Sequence, residues 1–391
     1  MTKPQIFEKP MGFRDFPYLL AEKKRLVEDR VRQQFVKWGY REVYTPTLEF
    51  FDTVGQASEI PDSRMFKLMD RDGNILVLRP DQTAPIARLV TSVLKREPLP
   101  LRLFYHGNVF RAQEKEAGRS SELFQSGVEL VGQSCPEADT EVIALSIEAL
   151  RACEIHFPII ALSHVGLLEG FLRERIDHKA AISKLKQTLG LRDLVAFRQI
   201  LACLDLSSAD RQEILAITRS GLEHDQWKSL MKLARTEPVH DAFVYLERVW
   251  NNLEASGCTQ LVKVDLSLVG SLDYYTGVYF EGYADGQGFP LVSGGRYDQL
   301  YQEFGVDLPA TGFALKTDRL LEASPLKPEF PVRLALFYEP HLQKKAWKKA
   351  KSLRDDGWIV IMQPMEEGQI RKDLPVDDVL VIADEGGTSL C

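Results

Sequence analysis

The chain has 391 residues, of which 45% are hydrophobic and 27% charged, and its net charge is −7. That balance fits a soluble globular protein of two or three domains. It argues against a protein that coats nucleic acid through a general excess of Lys and Arg, while leaving room for a local basic groove.

Five cysteines (Cys135, Cys153, Cys203, Cys258 and Cys391) stand apart without CxxC spacing, and the seven histidines are equally dispersed. Neither a disulfide framework nor a zinc site is expected, and a reducing, cytoplasmic compartment fits. The opening MTKPQIFEKP lacks the apolar stretch of a signal peptide, and no run approaches the ~18 apolar residues of a membrane span.

Residues 1–17 read as an irregular arm. A helix is predicted over about 18–38, because Val27, Val31 and Phe35 form one apolar stripe and Gly39 stands just past its end. The segment 41–46 reads as extended and is closed by Pro46. Residues 66–79 read as a β-hairpin with its turn at Asp72-Gly73. A helix follows from near Gln82, then strands near 101–112 and 122–132. Pro136 and nearby acids open a helix over about 137–152. Hairpins and helices in this order predict an α+β fold rather than a βαβ repeat.

From about 166 to 260 the chain is rich in Leu, Ala, Lys, Glu and Arg and lacks alternation, which predicts an inserted helical subdomain. Strands return at about 262–269, 274–283 and 289–294, and a strand and helix close the region at 311–323. Ser324-Pro325 to Pro328 reads as a linker. The remainder, 329–391, reads as a short C-terminal α/β domain. Its strands are expected near 332–337, 358–362 and 378–383, with a helix at 341–355.

Four segments carry side chains suited to a ligand. In ELFQSGVELVG (122–132), strand alternation puts Gln125, Gly127 and Glu129 on one face and Phe124, Ser126, Val128 and Leu130 on the other. Two polar groups flanking a glycine leave room for a ligand, although a wet sheet face would look the same. Arg111, ending the preceding strand, can approach Gln125 and fork a carboxylate, or simply make a surface ion pair. In LRPDQTAPIAR (78–88), Asp81 and Thr83 sit at a helix start, where the acid serves either as a cap or as the acceptor for a ligand ammonium. In LDYYTGVYFEGY, Tyr275, Gly277, Tyr279 and Glu281 share a face, as a ligand wall or as a core ladder. SGGRYDQL (293–300) reads as a glycine turn before a helix, a weak phosphate-loop signal. KKAWKKAK (344–351) reads as a solvated helix face.

In this order the segments resemble the class II aminoacyl-tRNA synthetase core, and histidyl-tRNA synthetase in particular. GFRDFPYLLAEKKRLVEDRVRQQFVKWGYREVYTP looks like motif 1, LFYHGNVFRAQEKEAGRSSELFQSGVELVG like motif 2 and TGFALKTDRL like motif 3. LRPDQTA and LDYYTGVYFE resemble the two segments that line that family's histidine pocket. The resemblance covers roughly 8–323. It implies an antiparallel sheet core with flanking helices over 1–323, carrying the helical insertion. It also implies that Asp81, Thr83, Arg111, Gln125, Glu129, Tyr274 and Tyr275 hold histidine, and that Arg119 and Arg319 are what remains for nucleotide or phosphate.

The departures lie on the nucleotide side. Gly270 stands where the synthetases carry the arginine of Arg-Gly-Leu-Asp-Tyr-Tyr, Gln113 where an acid reads adenine, Ser121 where a second arginine meets phosphate, and Lys316 where a glycine lets the chain approach ATP. Fixed cations stabilise the phosphate charge of adenylation, and one such donor is worth about 2.7–4 kcal/mol. The 60-odd residues after the linker are also short for an anticodon-binding domain, so no tRNA-reading role is expected. DQTAPIAR and the missing arginine resemble the regulatory subunits of ATP phosphoribosyltransferase. That resemblance implies no catalytic residue, cofactor or metal of the chain's own. It implies partnership with the short-form catalytic subunit in the first step of histidine biosynthesis, activation of that enzyme, and a part in its inhibition by histidine. A homodimer within a hetero-oligomer, expected as a hetero-octamer, follows from the same resemblance. A divergent synthetase and a stand-alone histidine-binding paralogue are the competing readings.

Overall fold

Helix α1 (Tyr18–Lys37) follows the irregular arm, and Val27, Val31 and Phe35 are all buried, as their four-residue spacing requires. Gly39 adopts φ +83°, which only glycine reaches without strain. There the Gly39 and Tyr40 amides close back onto Val36 and Phe35, satisfying the last carbonyls of the helix. The computed structural model describes residues 7–112, 120–270, 275–328, 332–365, 374–384 and 389–390. The chain divides into two compact units, Met1–Leu326 and Lys327–Cys391.

In the first unit, β1 (Arg41–Glu42) leads into a small sheet of β2 (Leu48–Phe50), β3 (Lys67–Met69) and β4 (Ile75–Leu78), ordered β2-β4-β3. The β3–β4 hairpin pairs Lys67 with Val77 and Met69 with Ile75, as the Asp72-Gly73 turn predicts. Asp70 fixes that turn by accepting the Asp72 and Asn74 amides at 2.9 and 2.8 Å.

Next come α2 (Thr83–Ser92), β5 (Leu101–Phe110), β6 (Glu122–Val131), α3 (Pro136–Ala152) and β7 (Ile159–His164). The helical stretch holds α4 (Val165–Arg173), α5 (Lys179–Gly190), α6 (Leu194–Cys203), α7 (Ser208–Ile217), α8 (His224–Leu230) and α9 (Glu237–Ala255). Strands β8 (Val262–Val264), β9 (Val278–Tyr283), β10 (Val292–Arg296) and β11 (Ala310–Lys316) follow, and α10 (Thr317–Ala323) closes the series.

These strands build one eight-stranded sheet, ordered β1-β5-β6-β11-β10-β9-β7-β8. Its inner pairs are all antiparallel, and only the edge pairs β1–β5 and β7–β8 run parallel. One face is covered by α1, α3 and α9, whose buried residues pack on Phe104, Val128, Leu130, Phe280 and Phe313. The other face is only partly covered, by Ile86, Ala87 and Val90 of α2 and by a short 3₁₀ turn at Leu300–Phe304. This incomplete cover on a mostly antiparallel α+β sheet is what leaves a pocket.

Three expectations need correction. Gly294 and Gly295 do not form a turn; they lie inside β10, where a Cβ on Gly295 would meet the Tyr275 ring at 2.9 Å. The strand expected at 274–283 begins only at Val278, and the one expected from 262 stops at Val264. Strand β7 was not expected. Its Ile-Ile-Ala-Leu run is short and passes into α4 with no Gly or Pro between them, so its pattern alone does not tell strand from helix.

The second unit places β12 (Arg333–Tyr338) between β13 (Ile359–Pro364) and β14 (Asp378–Ile382), all parallel, with β15 (Ser389–Leu390) antiparallel on β14. Helix α11 (Gln343–Asp355) buries Ala346 and Ala350 and leaves its lysines and Trp347 exposed. The lysine run is thus a solvated face. Among the described residues no helix is long and apolar enough to cross a membrane.

Candidate functional site

The open sheet face in the first unit floors a pocket of about 860 Å³. Strand pairing dictates what the floor displays, because directly opposed residues point to the same side. One row sets Glu129 of β6 beside Gly312, then Gly295 and Tyr279. Another sets Gln125 beside Lys316. At a strand rise of about 3.4 Å the two rows lie roughly 13 Å apart along β6. Gly127, Ala314 and Ser293 lie between the rows, so the middle of the floor carries little bulk.

At the first row, Glu129 is 2% exposed. Thr83 donates its hydroxyl to one carboxylate oxygen at 3.0 Å, and Tyr297 donates to the other. Gly312 has no side chain because a Cβ there would strike that carboxylate. Burial pushes the Glu129 carboxyl up to about 8, against the two hydroxyl donors, and the charge of nearby Asp81 adds to the rise. A carboxyl raised that far favours its protonated form at pH 7.

Asp81 is buried at the start of α2. It accepts the Ala84 amide at 2.9 Å and the Ser58 hydroxyl. It thus caps the helix and also lines the pocket. Tyr275 and Tyr279 stand with ring centroids 4.7 Å apart, and Tyr105 completes the aromatic wall. Burial raises the Tyr105 and Tyr279 hydroxyls, which stay protonated.

Beneath the wall, Arg296 at the end of β10 forks Asp139 of α3, with both contacts at 3.0 Å. Tyr245 of α9 donates to the same carboxylate at 2.6 Å. This buried set anchors the segment that carries Tyr297.

Arg111 donates its Nε to the Pro80 carbonyl at 2.8 Å, which holds the side chain against the Asp81 loop. Gln125 shares the pocket lining with it. Asp81, Thr83, Arg111, Gln125, Glu129, Tyr275 and Arg319 all line one cavity. Tyr274 and Arg119, named from the sequence, lie outside the described residues, as do Gln113 and Ser271.

Sequence reasoning missed Tyr105 and Tyr297. Tyr105 pairs with Gly127 across the β5–β6 hairpin, so that glycine was its signal: a Cβ there would meet the Tyr105 ring at 2.6 Å. Tyr297 reaches Glu129 from 168 residues away, and nothing local announces it.

The second row differs in chemistry. Lys316 faces the pocket where Arg319, Arg14 and Arg64 also line it. Arg14 pairs with Asp318, which also accepts the Phe124 amide at 2.8 Å. Arg319 donates to the Pro290 carbonyl at 2.8 Å and lies 5.0 Å from the Phe289 ring. Burial, then the charges of Arg319 and Arg111, bring the Lys316 ammonium down to about 8 despite Glu281. Ser121 is buried and its amide bonds to the Gly12 carbonyl at 2.7 Å, so the arm closes over it.

Elsewhere among the described residues, Glu339, His341 and Asp384 of the second unit group their ligand atoms within 4.8 Å. His341 and Asp384 contact each other at 2.6 Å at the surface, as an ion pair would.

The family model described as Histidyl-tRNA synthetase matches residues 12–320. A protein of Bacillus licheniformis named ATP phosphoribosyltransferase regulatory subunit is 41% identical over 363 residues, 92% of each chain. One of the same name from Bacillus subtilis is 40% identical over 364 residues, also 92% of each. A crystal structure from Bacillus halodurans, described as an ATP phosphoribosyltransferase regulatory subunit/histidyl-tRNA synthetase, superposes with a TM-score of 0.87 at 38% identity, covering 95% of this chain and 96% of the other. The histidyl-tRNA synthetase of Nostoc shares the fold at a TM-score of 0.81 and 21% identity, over 99% and 95% of the chains.

Proposed function

Because the chain belongs to the family of ATP phosphoribosyltransferase regulatory subunits, built on a histidyl-tRNA synthetase domain, we propose that it senses histidine for a short-form catalytic subunit in the first step of histidine biosynthesis. It activates that subunit and transmits inhibition by histidine. The observation that carries the reading is Glu129, a buried acid with two hydroxyl donors at the end of a tyrosine-walled pocket. An imidazole both donates and accepts, so it can share one proton with such an acid.

In this reading Glu129 and Thr83 meet the ring, Tyr274 and Tyr275 wall it, Asp81 takes the ammonium, and Arg111 with Gln125 takes the carboxylate. Histidine then shifts the complex between two states by binding one better, with reciprocal coupling. The chain catalyses no aminoacylation, because Gly270 and Ser121 supply no cation to a developing adenylate. Arg119 and Arg319 are the residual cations for phosphate. No tRNA, cofactor or metal enters the mechanism. Residues 1–323 form the ligand-holding core, with the helical insertion at about 166–260, and 329–391 form a separate short domain. The chain works in the cytoplasm, beside the enzyme it controls.

A homodimer within a hetero-octamer is part of the proposal. Leu48, Phe50 and Leu68 share one face of the small sheet by register and are 44%, 51% and 46% exposed. A contiguous apolar face of that kind is what a subunit interface covers.

The test is the ATP phosphoribosyltransferase activity of a short catalytic subunit with and without this chain, then with histidine. Strong activation that histidine reverses is expected; no activation of a cognate subunit contradicts the reading. The family model favours one alternative, an active synthetase, which histidine-dependent exchange of pyrophosphate into ATP would reveal.

A further inference from the structure

Asp81 is the acid that meets the ligand's ammonium in the proposed reading, and its neighbours decide how it is presented. It is 5% exposed and lines the pocket. One carboxylate oxygen accepts the Ala84 amide at 2.9 Å, and the other accepts the Ser58 hydroxyl. A carboxylate offers about four lone-pair sites, so two remain for a ligand once these donors are in place.

Ser58 is buried and stands behind the pocket lining rather than in it. Its oxygen accepts the Ile60 amide at 3.4 Å, and its single proton goes to Asp81. The Ser58 amide bonds to the Val54 carbonyl at 3.1 Å, at the end of the helical turn Phe51–Gly55 that follows β2. Strand β2 is fastened to α2 separately: Arg88 forks Glu49, with both contacts at 2.9 Å. Ser58 and Ala84 thus reach Asp81 from two segments that are themselves tied together. The carboxylate is oriented before a ligand arrives. Without the hydroxyl it is one donor short and free to turn, so part of the ligand's binding energy goes into ordering it.

We propose that Ser58 is a positioning residue for amino-acid recognition: by holding the Asp81 carboxylate it makes the pocket select a ligand that carries an α-ammonium. The inference rests on the histidine reading and adds to it a residue outside the pocket wall. An electrostatic role alone has the opposite sign. The hydroxyl tempers the Asp81 charge, so its removal would then tighten the hold on an ammonium.

The test is calorimetric titration of the full chain, as wild type, Ser58→Ala and Ser58→Thr, with two ligands. One is histidine and the other is imidazolepropionate, which is histidine without its ammonium; the weaker ligand is measured by displacement of the stronger. Ser58→Ala is expected to bind histidine about tenfold more weakly and imidazolepropionate as the wild-type chain does. Ser58→Thr keeps the hydroxyl and is expected to recover most of the loss. Melting followed by circular dichroism confirms that each variant is folded. Equal loss for both ligands makes Ser58 a structural support of its loop and overturns the proposal, as does undiminished or tighter histidine binding by folded Ser58→Ala. A wild-type chain that binds neither ligand removes the histidine reading itself, and the proposal with it.

Discussion

The two rows of the same sheet floor treat buried charge in opposite ways. At Glu129 the acid is closed in, supplied with two hydroxyl donors, and biased to its protonated form at pH 7. At Lys316 the ammonium is half-buried, unpartnered among the described residues, and flanked by more cations. In the proposed reading the first serves a ring that can share a proton. By the resemblance read from the sequence, Ser121 and Gly270 in the second stand where synthetases present cations, and Lys316 where they present glycine.

The largest effect that would break this comparison is at Glu129. Glu129→Ala removes the ring's partner, and a hydrogen bond to a charged group is worth about 1.5–3 kcal/mol. Histidine affinity should fall by about tenfold to a hundredfold in a folded chain, by calorimetry. Unchanged affinity removes Glu129 from the site.

A pH series sharpens the same point. Burial pushes the free acid up to about 8 and a free imidazole titrates at about 6.5, while in the proposed complex the two share one proton. Above 8 binding must take up that proton, and below about 6.5 it must release a second. Histidine affinity should therefore be flat between these values and fall by up to about tenfold per unit outside them. A steady rise through pH 9 would show that the ionised acid alone binds.

The smallest effect is on stability. The Lys316 ammonium has a lowered folded-state value, so below that value the charge opposes folding. Lys316→Met removes an unpaired, partly buried cation and should raise the melting temperature at pH 7 by about 1–3 °C. A lower melting temperature would mean that the lysine is partnered in solution.

Much of this was legible in the sequence where the signal is local. Alternation along 122–132 put Gln125 and Glu129 on the pocket face and Val128 and Leu130 in the core, as found. The Asp72-Gly73 turn and the α1 stripe also follow from near neighbours. What failed depends on contacts between distant segments. The glycines at 294 and 295 look like a turn in sequence, yet they are glycines because neighbouring strands and Tyr275 crowd them. Tyr297 and the Arg296–Asp139 anchor join residues more than 150 positions apart. No window along the chain reports such a meeting. Tyr275 and Tyr279 belong to a buried aromatic cluster, as the core-ladder alternative has it, and Tyr275 also lines the pocket.

The most direct test of the central claim is a histidine titration of ATP phosphoribosyltransferase reconstituted from the short catalytic subunit and either the wild-type chain or Glu129→Ala. The account predicts that both activate the enzyme and that histidine inhibits only the wild-type complex at concentrations near its binding affinity. Equal inhibition of both complexes would place the inhibitory histidine outside this pocket and contradict the account.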